Sequence, residues 1–150
     1  MISPSLKRLP HPRYGERGFT LLELLVVLAI LGLLIGLVAP AALRQLGSAK
    51  HKVAVQAVER LAGVLDLYKL DVGEYPTTEQ GLQALVTQPS GVKNWNGPYL
   101  KGEGVPLDPW NRPYHYRRPS ERPGHDYDLY TLGADDKPGG TGEDEDVYNQ

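Results

Sequence analysis

From Leu24 to Leu43 the chain runs for twenty residues without a charged side chain, LLVVLAILGLLIGLVAPAAL. About 20 apolar residues in an α-helix span the roughly 30 Å of a bilayer's hydrocarbon. In lipid the backbone must satisfy its own hydrogen bonds, so a lone segment of this kind is helical. Glu23 heads the run, and a carboxylate costs roughly 2.5–3.5 kcal/mol if it lies near the bilayer centre. The leader before it carries Lys7, Arg8, Arg13 and Arg17 against Glu16, a net +3, which leaves −5 on the rest of a chain of net charge −2. Basic residues flanking an apolar segment stay in the cytoplasm, which places everything after Leu43 on the far side of the membrane.

At 150 residues the chain has room for one small domain beside this helix. It has no cysteine, so neither a disulfide framework nor a zinc–thiolate site is possible. The acidic balance after the leader, without a basic stripe, argues against nucleic acid as a partner.

Residues 1–17 read as a polar, proline-containing leader. Gly32 and Gly36 stand four apart, a spacing that serves helix packing or arises by chance. Pro40 loosens or kinks the helix one turn upstream. Beyond it Leu43, Leu46, Val53, Ala57, Leu61, Val64, Leu65 and Tyr68 recur at helical spacing, so the helix is expected to continue as an amphipathic segment to about Val72. Gly73 stands where a C-terminal glycine cap belongs. Thr77 to Gln80 reads as the cap of a second short helix, about 78–87. Pro89 to Pro113 reads as ordered loop, followed by strands at 114–117 and 127–132 with a connecting loop at 118–124. In the second strand Tyr127, Leu129 and Thr131 alternate against Asp128 and Tyr130. Between Asp126 and Asp146 eight acids face Lys137 alone, with Gly133, Gly139, Gly140 and Gly142 among them. By composition such a run is a solvated charged segment.

Arg17-Gly18-Phe19-Thr20-Leu21-Leu22-Glu23 resembles the processing signal of type IV pilins and type II secretion pseudopilins. The resemblance continues through Leu67-Tyr68-Lys69-Leu70-Asp71, Tyr75-Pro76-Thr77-Thr78-Glu79-Gln80-Gly81-Leu82, Gly97-Pro98-Tyr99-Leu100, Asp108-Pro109-Trp110, Pro113-Tyr114 and Leu132-Gly133-Ala134-Asp135. In this second part it is to the major pseudopilins, the G-type subunits of type II secretion. It implies an α+β, pilin-like fold: a cleaved leader (1–18), a transmembrane and filament-core helix (19–43), its amphipathic second half (44–72) and a periplasmic domain (73–150). It implies cleavage after Gly18 by a prepilin peptidase, N-methylation of Phe19, and a role for Glu23 in assembly by pairing with a neighbour's amine. The partners it implies are further copies in a homo-oligomeric filament, minor pseudopilins and the inner-membrane assembly platform, with cargo driven across the outer membrane. It also implies a calcium ion held by the Leu132 carbonyl, Asp135, Glu143, Asp144 and Asp146, in place of the disulfide usual in major pilins. Two positions depart from the family pattern: Asn111 follows Trp110 where glycine is usual, and Asp136 stands where glycine is usual.

Three other readings compete. An ordinary signal peptide cut near Ala39-Pro40-Ala41 would release a secreted, calcium-stabilised binding domain or hydrolase. Its apolar region would run for about 7–15 residues, shorter than this one, and a proline beside the scissile bond fits poorly. A plain membrane anchor accounts for the length but not for Gly-Phe-Thr-Leu-Leu-Glu. A type IV pilus subunit shares the N-terminus. No catalytic constellation is visible: Ser48, Ser90 and Ser120 lack a nucleophile-elbow context, and His115 and His125 lack a second ligand at metal-binding spacing.

Overall fold

The structure, a computed structural model, describes residues 18–150. The leader therefore lies outside the described residues, apart from Gly18. The chain divides into two compact units, Met1–Pro40 and Ala41–Gln150.

One helix, α1 (Leu21–Val72), accounts for 52 residues. Thr20 caps its start: its Oγ1 accepts the Glu23 N–H at 3.1 Å. Thr-x-x-Glu is the capping-box pairing, and an acid in the first turn suits the positive end of the helix dipole. At the other end Gly73 adopts φ 97° and donates its N–H to the Lys69 carbonyl at 2.8 Å, as the sequence led us to expect. Pro40 lies inside the helix.

In the first unit the helical side chains are exposed among the described residues. Leu21, Leu33 and Leu37 are each more than 70% exposed, and none of the most apolar 18-residue stretch is buried. In the second unit Ala54, Val58, Leu61, Leu65 and Tyr68 form the buried stripe. This corrects the stripe drawn from the sequence, because Leu43, Leu46 and Val53 are more than half exposed. The small domain covers the face centred on Ala54 and Val58, so the helix is turned by one residue where Val53 was expected inside. Against the stripe pack Leu82, Ala84, Leu85, Tyr114, Tyr127, Leu129 and Val147. Each fully buried leucine here stabilises the unit by roughly 1.5–3 kcal/mol.

The expected short helix at 78–87 reduces to a 3-10 turn, Leu82–Leu85. Thr77 and Gln80 do form the reciprocal cap, with Thr77 N–H to Gln80 Oε1 at 2.9 Å and Gln80 N–H to Thr77 Oγ1 at 3.3 Å. Gly81 then takes φ 56°, ψ −162°, a conformation from which an α-helix cannot continue.

The sheet has order β1-β2-β3: β1 (His115–Arg117), β2 (Asp128–Thr131) and β3 (Val147–Tyr148), both pairings antiparallel. Register sets His115 opposite Tyr130 and Tyr130 opposite Tyr148, and the three rings stack at 4.8 and 4.7 Å between centroids. Leu129, Thr131 and Val147 point inward. The third strand was not anticipated. It lies just beyond the acidic run and folds that run back onto β2.

Candidate functional site

Two places carry the sequence signals. At the N-terminus, Gly18 and Phe19 are exposed, and a Cβ on Gly18 would meet nothing within 4 Å. Among the described residues, no neighbour requires glycine there. The same open space surrounds Gly32 and Gly36. Glu23 is exposed in the first turn.

At the other end, the segment from Leu132 to Asp146 closes into a loop between β2 and β3. The Ala134 N–H donates to the Glu143 carbonyl at 2.8 Å. Gly133 and Gly140, both at positive φ, let the Asp144 backbone approach: a Cβ at Gly133 would lie 2.6 Å from the Asp144 carbonyl carbon, and one at Gly140 2.8 Å from it. Asp135 Oδ1 accepts the Lys137 N–H at 3.1 Å. Asp146 Oδ2 accepts the Gly139 N–H at 2.9 Å, while its buried Oδ1 has no partner among the described residues. Glu143 points elsewhere: its carboxylate lies over Gly47 of α1, where a Cβ would stand 2.6 Å from the carboxyl carbon. Among the described residues no three His, Cys, Asp or Glu side chains gather tightly enough to hold a metal by themselves.

Two buried acids escaped the sequence reading. Asp128, fully buried, accepts from Arg122 Nε at 2.7 Å, Arg117 at 2.6 Å, Ser120 at 2.6 Å and the Glu121 N–H at 3.0 Å. Burial alone would raise its pKa. The hydrogen bonds from Arg122, Ser120, Arg117 and Glu121 outweigh that and hold the carboxyl well below the ordinary carboxylate range. Asp108, 4% exposed, accepts the Trp110 and Arg112 N–H groups at 2.9 Å each and the Thr131 hydroxyl. The visible signal for Asp128 was the arginine-rich Arg117-Arg118…Arg122 loop facing an acid in a strand. Asn111 is left-handed, φ 64°, and so is Asp136, φ 57°, the two positions where the resemblance leads one to expect glycine. Burial pushes the Tyr114 hydroxyl, with the Asp108 charge nearby, up to about 12.

A lipid-length N-terminal helix that is exposed among the described residues, joined to a small α+β unit, defines the pilin-like class. Over residues 41–150 the chain matches the family described as type II secretion system (T2SS), protein G, and over residues 13–39 the prokaryotic N-terminal methylation motif. It is 46% identical over 141 residues to type II secretion system core protein G of Pseudomonas aeruginosa, covering 91% of this chain and 96% of that one. To the Vibrio cholerae protein of the same name it is 43% identical, covering 89% and 91%. The crystal structure of the major pseudopilin from the type 2 secretion system of enterohaemorrhagic Escherichia coli matches with a TM-score of 0.57 and 32% identity, over 67% of this chain and 82% of that one. The chain belongs to the type II secretion system protein G family. It is a membrane-anchored pseudopilin, a structural subunit of that system.

Proposed function

We propose that the chain is made as a precursor in the bacterial inner membrane with residues after Leu43 in the periplasm. A prepilin peptidase cuts it after Gly18, and Phe19 is then N-methylated. Identical copies, joined by minor pseudopilins and raised by the inner-membrane assembly platform, form a periplasmic pseudopilus that drives folded exoproteins across the outer membrane. The subunit does this without catalysis of its own. The observation that carries the reading is the first unit's apolar helix, exposed along its length with Glu23 at its head. Lipid covers that surface before assembly and other subunits cover it afterwards. A neighbour's amine next to Glu23 would offset the cost of its charge in an apolar setting. Mass spectrometry of the mature N-terminus tests the first step: methyl-phenylalanine at position 19 is expected, and Gly18→Ala should leave the precursor uncut. Glu23→Val should be processed yet fail to polymerise; normal filaments from that variant would remove the role given to the carboxylate.

We further propose that the loop from Leu132 to Asp146 binds a calcium ion. The donors there are oxygens, as calcium requires. The unpaired, buried Asp146 Oδ1 is the orphan group a cation would satisfy, and the glycines bring the Asp144 backbone in close. The Leu132 carbonyl, Asp135, Glu143, Asp144 and Asp146 would hold the ion, with Glu143 turning off Gly47 to join them. Bound calcium supplies charge neutralisation and a cross-link for an acidic loop. Adding calcium to the full-length chain in detergent should raise the melting temperature of the domain, and Asp135→Ala should abolish the rise. Identical melting in calcium and in chelator would reject the site.

A further inference from the structure

Arg112 sits at a convergence the sequence did not foretell. Its side chain is 25% exposed, and its guanidinium reaches from the turn after Trp110 across to the start of the C-terminal loop. One Nη donates to the Gly133 carbonyl, and the other faces the Ala134 carbonyl at 3.4 Å and Asp136 Oδ1 at 3.6 Å. Its Nε lies 3.8 Å from Asp108 Oδ2. The base of the arginine is fixed too: its N–H donates to Asp108 Oδ1 at 2.9 Å, and its carbonyl accepts the Asp108 N–H at 2.8 Å. Asp108 in turn is bonded to Thr131, the last residue of β2. The arginine's backbone is thus held by a buried acid and its guanidinium is aimed at two successive main-chain carbonyls, while its buried Nε has no hydrogen-bond partner among the described residues.

We infer that Arg112 is a positioning residue for cation binding by the C-terminal loop, an inference that rests on the calcium reading above. A planar fork can hold two neighbouring carbonyls in one orientation, which an ammonium cannot. Holding Gly133 and Ala134 fixes the turn that presents the Leu132 carbonyl and Asp135. Through the Ala134 N–H it also fixes the Glu143 carbonyl and the returning segment that carries Asp144 and Asp146. Arg112 also takes up the charges of Asp108 and Asp136, leaving the other acids for the ion. An opposing effect exists: a fixed positive charge near a cation site repels the ion. The two effects make opposite predictions, and the preorganised fork is the larger, since groups that orient metal ligands typically change affinity by about 10–100-fold.

The test is a calcium titration of the detergent-solubilised full-length chain by calorimetry, comparing wild type, Arg112→Gln and Arg112→Lys. Hydrogen exchange of the 133–146 amides is followed in chelator. Arg112→Gln should weaken calcium binding by about tenfold or more, with Arg112→Lys between it and wild type. The Ala134 amide should exchange faster while the β2 amides keep their protection. Calcium binding by Arg112→Gln as tight as or tighter than wild type overturns the inference and leaves the calcium site standing. Failure of the wild type to bind calcium removes the site and this role together. If Arg112→Gln does not fold in chelator, Arg112→Lys decides: affinity equal to wild type shows that charge alone suffices and rejects the fork.

Discussion

The first unit and the second invert each other. Between Leu21 and Pro40 the most hydrophobic residues of the chain are exposed, whereas between Asp108 and Asn149 two carboxylates are buried. A buried charge is tolerated when its own chain surrounds it with donors, as Arg117, Ser120, Glu121 and Arg122 surround Asp128. An exposed apolar face of this length is tolerated only when something outside the chain covers it. Burial in the second unit is therefore a matter of folding, and in the first a matter of membrane and assembly.

The contrast breaks most sharply at Asp128. Asp128→Ala should cost the second unit about 4 kcal/mol, because two arginines lose the carboxylate they enclose; denaturant melts of the full-length chain in detergent would read this. A loss under 1 kcal/mol would mean that the arginines simply turn to water. Acid acts on the same group. Its folded pKa is lowered, so its contribution is complete above the unfolded value of about 3.9 and is lost as pH falls below that toward the folded value. A melting temperature that declines as the pH is taken down through about 4, with a smaller decline in Asp128→Asn, would bear this out. Next in size, Leu65→Ala removes a fully buried side chain and should cost about 3 kcal/mol. Leu33→Ala, in a side chain 74% exposed, should leave the same melt unchanged and instead lower the yield of filament. Smallest is Gly47→Ala: alanine favours the helix by about 1 kcal/mol, offset in part because the Glu143 carboxylate must swing away and its Cβ, 3.1 Å off, must shift slightly. A net gain of about 0.5 kcal/mol is expected by thermal melting.

The long helix was legible because its signals are local: an uncharged run, a glycine stop, a three-to-four spacing. The cap is local as well, Thr20-x-x-Glu23. The face of the helix was less legible. Leu43, Leu46 and Val53 are as hydrophobic as core residues, and only the position of the small domain decides that Ala54 and Val58 are covered instead. The strands at 115–117 and 128–131 lie within the 114–117 and 127–132 expected, although Asp128, read as facing out, is buried; a two-residue strand such as Val147–Tyr148 has no period to detect. Asp128 read as part of an acidic tail because its partners lie 6 to 11 residues earlier in the chain and meet it only through the hairpin. Of the C-terminal loop, the residue types were visible and the closing of the backbone was not, since that depends on glycines approaching Asp144 from two directions.

The two tryptophans have a use that their packing supplies without design. The Trp110 ring stands 5.9 Å from the Arg112 guanidinium, while Trp95 donates its indole N–H to the Ala84 carbonyl at 2.8 Å and meets Tyr99 edge-on. Replacing Trp95 by phenylalanine leaves one indole, seated beside the arginine that grips the acidic loop. Changes in the emission of that indole on adding calcium would then report on the arginine beside it, with no dye attached.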